Sequence, residues 1–319
     1  MASSNAALEE IKPRLDLVMT DNCNYIVITP VKDEGLHIER TLHSMVQQTI
    51  LPSRWIIVDD GSRDQTRAII ERFSEKFHWI TLLCLPVRNE RQPGSAVIHA
   101  FAKGFELIGD TKYDYVVKMD ADLDLPSDYF EQLLVRFRED KSLGIASGEY
   151  LEEKQGQWIP CKMPSYHASG ASKMVRAQCF ADIGGFVPYR GWDTIDEIRA
   201  EMKGWKTRHF SELQFYHLKP EGSGIGFVRT SMMHGEIYYL TGGGGFFLFL
   251  KFLHRLLFGK PFIIGGLMLV AGFLKAKLSQ KPRLATDAEA RSYRALLNRR
   301  LIQNLGGLGA WVRGKGLYN

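Results

Sequence analysis

Two carboxylates one residue apart end an apolar run: Tyr115-Val-Val-Lys-Met119 is followed by Asp120, Ala121 and Asp122. In an extended chain, residues i and i+2 project to the same side. Asp120 and Asp122 therefore converge on one point just past a strand. Open α/β sheets place their ligands beyond the carboxyl ends of their strands. Hard oxygen donors there suit Mg2+ or Mn2+, with the ion in turn holding a diphosphate. The same spacing occurs in ordinary acidic turns, which are rich in Asp, so the pair needs support from the rest of the chain.

A second acidic group, Val58-Asp59-Asp60-Gly61-Ser62, sits where a strand gives way to a helix. Two readings compete. It is a turn with an Asp or Ser cap, or it sets a carboxylate at a sheet edge to accept hydrogen bonds from a base or ribose. His217, in Phe215-Tyr-His-Leu-Lys219, follows a strand-like run, and a third acidic group, Asp193, Asp196 and Glu197, precedes it. A lone His is either structural or a site residue, and both readings stay open.

The elements that must position these residues are legible from periodicity. Tyr25–Val31, Trp55–Val58, Trp79–Leu85, Tyr115–Met119 and Leu143–Ser147 read as strands. Helical spacing separates them, through Leu36–Val46, a helix opened by a Ser62/Gln65 capping box, Ala96–Leu107, and Asp128–Arg138 capped by Ser127. Strands alternating with such helices predict βαβ units and an α/β fold with a largely parallel sheet. Lys173–Ile183 and Thr194–Lys203 read as later helices, with Gly184, Gly185 and Gly204 at their C-terminal ends.

Composition narrows the class. Hydrophobic residues make up 45% of the 319, enough for a sizeable core. Four scattered cysteines without a C-x-x-C pair argue for reduced thiols, and the N-terminus shows no secretory pattern. The net charge of +5 hides an asymmetry. Residues 251–319 carry thirteen Lys/Arg against two Asp/Glu, a net +11, which leaves −6 on the first 250 residues. An acidic body with a basic tail fits a domain held at an anionic membrane surface. Phe/Leu/Ile runs interleave the tail's charges, which nucleic-acid binding would not require, so no nucleic-acid partner is expected.

Three motifs occur in order: Thr29-Pro-Val-Lys-Asp-Glu34, Val58-Asp-Asp-Gly-Ser-x-Asp-x-Thr66, and Met119-Asp-Ala-Asp-Leu-Asp-Leu-Pro-Ser-Asp128. Together they resemble the family 2 glycosyltransferases, inverting enzymes with a GT-A fold. The resemblance spans about Tyr25 to Leu240 and is strongest over its first 130 residues. It implies that Pro30, Lys32 and Glu34 line a nucleotide pocket and that Asp60 accepts from the base. It implies that Arg88 and Gly94 belong to a loop closing over the nucleoside. Asp122 would bind the metal and Asp120 would contact sugar or ribose. His217 would approach the metal or diphosphate, and Arg229, with His234 following, would offer a cation to the leaving diphosphate.

Inverting transfer needs a general base on the acceptor hydroxyl. The family supplies it from a Glu-Asp pair at a helix start; this chain departs from that, with Asp193, Asp196 and Glu197 competing. Counted back from Gly204, Asp193 keeps the family spacing, whereas Asp196-Glu197 looks more like the pair; Asp196 is narrowly favoured. Acids of this kind also stabilise a helix N-terminus without any catalytic role.

The C-terminal part holds two apolar runs, Phe246–Phe258 and Phe262–Leu274, each short of the roughly 20 residues that span a bilayer. They are expected as interfacial or re-entrant helices, with Pro261 and Gly265-Gly266 easing a bend and Lys251 and Arg255 at headgroup depth. The expected organisation is an extension over 1–24, a catalytic domain over 25–236, and membrane-associated helices with a basic tail over 237–319. The expected activity is metal-dependent sugar transfer from a nucleotide diphosphate donor to a lipid-linked or glycan acceptor. Its expected place is the cytoplasmic face of the cell membrane, in contact with membrane lipids. A non-catalytic nucleotide-sugar-binding scaffold is the alternative.

Overall fold

Tyr25–Val31 is aromatic and β-branched, and six of its seven residues are buried, the pattern of a strand covered on both faces. It forms β1 of the computed structural model, which describes residues 23–86, 95–220, 226–258 and 263–314. Helix α1 (Ile38–Val46) leads to β2 (Arg54–Asp59), and α2 (Thr66–Lys76) leads to β3 (Ile80–Cys84). Helix α3 (Ser95–Glu106) then leads to β4 (Tyr115–Met119). β1 pairs in parallel with β2 and β4, and β2 with β3. Parallel neighbours require crossovers, which the helices supply.

Beyond β4 come β5 (Leu123–Asp124), α4 (Tyr129–Glu139), β6 (Leu143–Lys154), β7 (Gln157–Pro160) and β8 (Ser172–Arg176). Then follow α5 (Ala177–Asp182), α6 (Trp192–Met202) and β9 (Lys206–His217). The sheet runs β3-β2-β1-β4-β8-β6-β9-β5, with β7 on β6. Its β3-β2-β1-β4 part is parallel, as the alternation predicts. Further along, β6 and β9 pair in parallel while β4–β8, β6–β8 and β5–β9 are antiparallel. β6, at 12 residues, is more than twice the expected strand, extending through Lys154. A core built on Trp55, Tyr25, Phe130, Phe137 and Phe215 covers one side of this sheet.

The expected caps differ. Gln65 and Asp128 precede α2 and α4 without a side-chain cap bond. The Ser62 hydroxyl instead accepts from the Asp33 amide at 2.9 Å, tying the loop after β2 to the loop after β1.

The chain divides into two compact units, one containing residues up to Pro188 with Lys203–Pro220, the other Tyr189–Met202 with the residues from Glu221 onward. Helix α6 thus groups with the C-terminal helices α7 (Phe227–Leu240), α8 (Gly245–Phe258), α9 (Ile264–Leu278) and α10 (Asp287–Gly314). Their core holds Tyr238, Leu248, Leu269, Phe273 and Leu297. Helices α7 and α9 meet backbone to backbone. A Cβ on Gly235 would lie 1.9 Å from the Leu269 carbonyl oxygen, and one on Gly272 would lie 2.0 Å from that of Met232. Gly265 and Gly266 sit inside α9 against Phe227 and Phe252, so they serve close packing and not a bend. The last described part of the basic C-terminal region is a 28-residue helix over Asp287–Gly314. No described helix is long and apolar enough to cross a membrane.

Candidate active site

β4 ends at Met119, and the next residues turn toward a two-residue strand, β5. That turn is clamped. The buried Thr41 hydroxyl, from α1, donates to the Ala121 carbonyl at 2.8 Å and accepts from the Leu123 amide at 3.0 Å. The Asp120 amide donates to Ala171 at 2.8 Å. β5 pairs antiparallel with β9, setting Leu123 opposite His217, and the Leu218 amide donates to the Asp122 carbonyl at 2.8 Å. This ladder carries His217 to Asp122 from far along the chain. One ligand atom each from Asp120, Asp122 and His217 lie within 4.8 Å of one another.

The three residues differ in electrostatics. His217 Nε2 is 3.4 Å from Asp122 Oδ1, and its Nδ1 is 3.9 Å from Glu152 Oε1. Burial pulls the imidazole's pKa down, but the carboxylates of Asp122, Glu152 and Asp120 outweigh it and hold it up to about 10. Burial instead raises Asp122, yet His217 and the more distant Lys219 and Lys118 bring it below the usual carboxylate range. Asp120 goes the other way. Loss of hydration raises it, Lys118 opposes, and the Asp122 charge adds to the rise. The Lys118 ammonium, buried within β4, pairs with Asp120 and donates to the Gly170 carbonyl at 2.7 Å.

The loops after β1 and β2 lie beside each other at the same sheet edge. The Asp60 amide donates to Val31 at 2.9 Å, and Lys32 Nζ donates to the Asp60 carbonyl at 3.0 Å. Asp64 accepts from the Gly35 amide, and Thr66 Oγ accepts from the Glu34 amide. Asp59 spends Oδ1 on the Ser62 amide at 2.8 Å, a structural role, whereas the Asp60 carboxyl is a separate buried group. Glu34 bonds Lys219 Nζ at 2.5 Å. Burial raises its pKa, Lys219 opposes, and Asp122 and Asp120 raise it further. Pro30 at the end of β1 is half-buried.

The remaining sequence candidates separate. Arg88 and Gly94 lie outside the described residues. Arg229 is exposed on α7, in the second unit. On α6, Asp193 is in the first turn and half-buried, while Asp196 is 2% exposed with Oδ1 accepting from the Glu197 amide at 2.7 Å. Glu197 is also buried.

Sequence reasoning missed Lys118, Thr41, Glu152 and Lys219. Lys118 carried a signal, a lone charge within an otherwise apolar strand. The others carried none, since their roles depend on contacts between distant segments.

The donor set is chemically coherent. Carboxylate oxygens are what Mg2+ and Mn2+ take, and an added imidazole nitrogen favours the softer Mn2+. The arrangement can hold a divalent ion at the strand edge, beside loops able to accept a nucleoside.

The model of the Glycosyl transferase family 2 matches residues 26–190, just over half of the chain. An uncharacterized protein of Methanocaldococcus jannaschii is 32% identical over 98 residues, a stretch covering 30% of this chain and 39% of that protein. The fold is similar to mannosyltransferase PcManGT from Pyrobaculum calidifontis, solved with GDP-Man and Mn2+ (17% identity, TM-score 0.51, 94% of this chain and 82% of that one). It is also similar to TarS 1-349 of S. aureus, solved with UDP-GlcNAc (16% identity, TM-score 0.51, 84% and 78%).

Proposed function

The chain belongs to glycosyl transferase family 2, and on that premise we propose that it transfers a sugar, with inversion, from a nucleoside diphosphate donor to a hydroxyl of a lipid-linked acceptor. The single observation that carries this reading is the Asp120, Asp122 and His217 cluster at the end of β4. Asp122 and His217 would hold Mg2+ or Mn2+, with Asp120 facing the sugar or ribose. Bound there, the ion would neutralise charge developing on the departing diphosphate. The fold-level neighbours solved with GDP-Man and Mn2+, and with UDP-GlcNAc, support a donor of that class.

The chain's own residues do the rest. Lys118 fixes the Asp120 carboxylate by an ion pair from beneath. Thr41 fixes the turn between the two acids. Asp60, Lys32 and Glu34 line the nucleoside side. Asp193 is assigned as the base that takes the acceptor proton. It is in the first turn of its helix and half-buried, whereas Asp196 is nearly sealed and bonded to its own helix.

The lipid-linked acceptor and a position at the cytoplasmic face of the membrane belong to the same proposal. Supporting them are the +11 C-terminal region and the exposed Phe246, Phe249, Leu267 and Leu278 of α8 and α9. All four cysteines are thiols outside any disulfide, in keeping with a reducing compartment.

The test is a thermal-shift and hydrolysis panel of UDP- and GDP-sugars with and without Mn2+. One donor should stabilise the fold and turn over only with the ion. Asp122→Asn should keep the fold and lose both effects. Metal-dependent turnover surviving in that variant would overturn the site assignment.

A further inference from the structure

The second unit contains a ladder of half-buried basic groups that the donor chemistry does not use. His234 and Tyr238 lie one turn apart on α7, and Lys251 and Arg255 lie one turn apart on α8. Arg255 Nη2 is 3.0 Å from His234 Nδ1, and the Lys251 ammonium lies 4.8 Å from the centroid of the Tyr238 ring. Among the described residues, no carboxylate pairs with Lys251 or Arg255. Among the described residues, Asp193 acts on the group through His234.

Cations partly withdrawn from water without a counter-charge are costly. Burial first, and Arg255 second, bring Lys251 down to about 8. Burial, then the charges of Arg255 and Lys251, bring His234 to about 4. A guanidinium, an ammonium and an imidazole close enough to shift one another's pKa supply the donors that a phosphate group takes up. The far side of α8 exposes Phe246 (63%) and Phe249 (55%). Those rings suit the apolar layer in which an amphiphile's tail would lie, while the cations on the other face of the helix take its phosphate.

We propose that Lys251, Arg255 and His234 form an anion site that holds the phosphate of an amphiphilic acceptor, so that the acceptor's sugar hydroxyl is presented near Asp193. The inference rests on the transferase reading above and adds the acceptor's chemical class. It assigns these residues to binding, and proton removal stays with Asp193.

The full chain is titrated calorimetrically with dodecyl phosphate, dodecanol and inorganic phosphate. Vesicles of phosphatidylglycerol in phosphatidylcholine are tested by flotation. Lys251→Met and Arg255→Met roughly keep volume and remove a half-buried charge, so the fold should survive, and the melting temperature checks that. Lys251→Arg retains the charge and should retain binding, which keeps the test open if a Met variant fails to fold. Dodecyl phosphate should bind the wild type, dodecanol should not, and each Met variant should bind about tenfold more weakly, the loss of one charge-assisted bond. If the phosphate comes from the acceptor, flotation is the same in the Met variants. If it comes from bilayer headgroups, flotation falls with them. Dodecyl phosphate binding unchanged in both Met variants overturns the site. Inorganic phosphate binding as tightly as dodecyl phosphate, or dodecanol binding equally well, overturns the amphiphile. Donor-induced stabilisation of the same samples reports separately on the transferase reading.

Discussion

Lys118 and Asp120 form an ion pair across the end of β4, with the ammonium buried and the carboxylate 31% accessible. Asp120 thus reaches the site already neutralised, while Asp122, two residues on, faces His217. The two carboxylates of one short motif are thereby set to different tasks. Lys118→Met should leave Asp120 unpaired beside Asp122 and repel a donor's negative charge. We expect donor affinity to fall about tenfold, the effect of losing roughly 1.4 kcal/mol. Calorimetry with the cognate nucleotide sugar measures it, and unchanged affinity would remove Lys118 from the site.

The base assignment separates binding from chemistry. Asp193→Asn should abolish transfer while sparing donor affinity, because a base acts in the transition state and not on the nucleotide. Asp196→Asn should lower the melting temperature instead, since Asp196 is 2% exposed and bonded to the Glu197 amide. Both rates and melting temperatures are needed. Full transfer activity in Asp193→Asn would return the role to Asp196 or Glu197.

The contact between α7 and α9 depends on having no side chain at Gly235, where a Cβ would lie 1.9 Å from the Leu269 carbonyl. Backbone cannot yield as a flexible side chain can. Gly235→Val should cost about 3 kcal/mol or more by forced separation of the helices. Denaturant unfolding would show it, and a variant as stable as the wild type would mean that the helices can slide apart without loss.

The metal-free protein should show a pH signature from Lys251. Its folded pKa of about 8 lies below the 10.5 of a free lysine. Between those values the unfolded chain binds more protons, so Lys251 makes stability rise with pH across that window. His217 opposes this. Held up to about 10 from 6.5, it gives stability that is full below 6.5 and lost as pH climbs through 10. Comparing wild type with Lys251→Met isolates the first effect. The wild type should gain on the variant from pH 8 to 10.5, and a constant gap would show that Lys251 is not buried as a cation.

Much of the parallel half was decided locally. Tyr25–Val31 and Trp55–Val58 are runs of β-branched and aromatic residues that can only be buried strands, and helical spacing between them dictates crossovers. The i, i+2 geometry of Asp120 and Asp122 is likewise a property of extended backbone, and it needed no long-range information. Three ordered motifs carried the family.

Tertiary structure decided what those motifs touch. His217 reaches Asp122 because β5 pairs with β9, and no local pattern specifies that pairing between segments more than ninety residues apart. Thr41 clamps the acidic turn from a helix whose own periodicity marks it only as buried. Asp193 and Asp196 share residue type and helix, and only burial in the packed chain separates them. Lys251 and Arg255 read from sequence as headgroup anchors, yet α8 turns them toward His234 and Tyr238 on α7. Side-chain type and spacing are fixed by covalent order. Which group loses water, and which charge it then meets, is settled only when distant segments pack together.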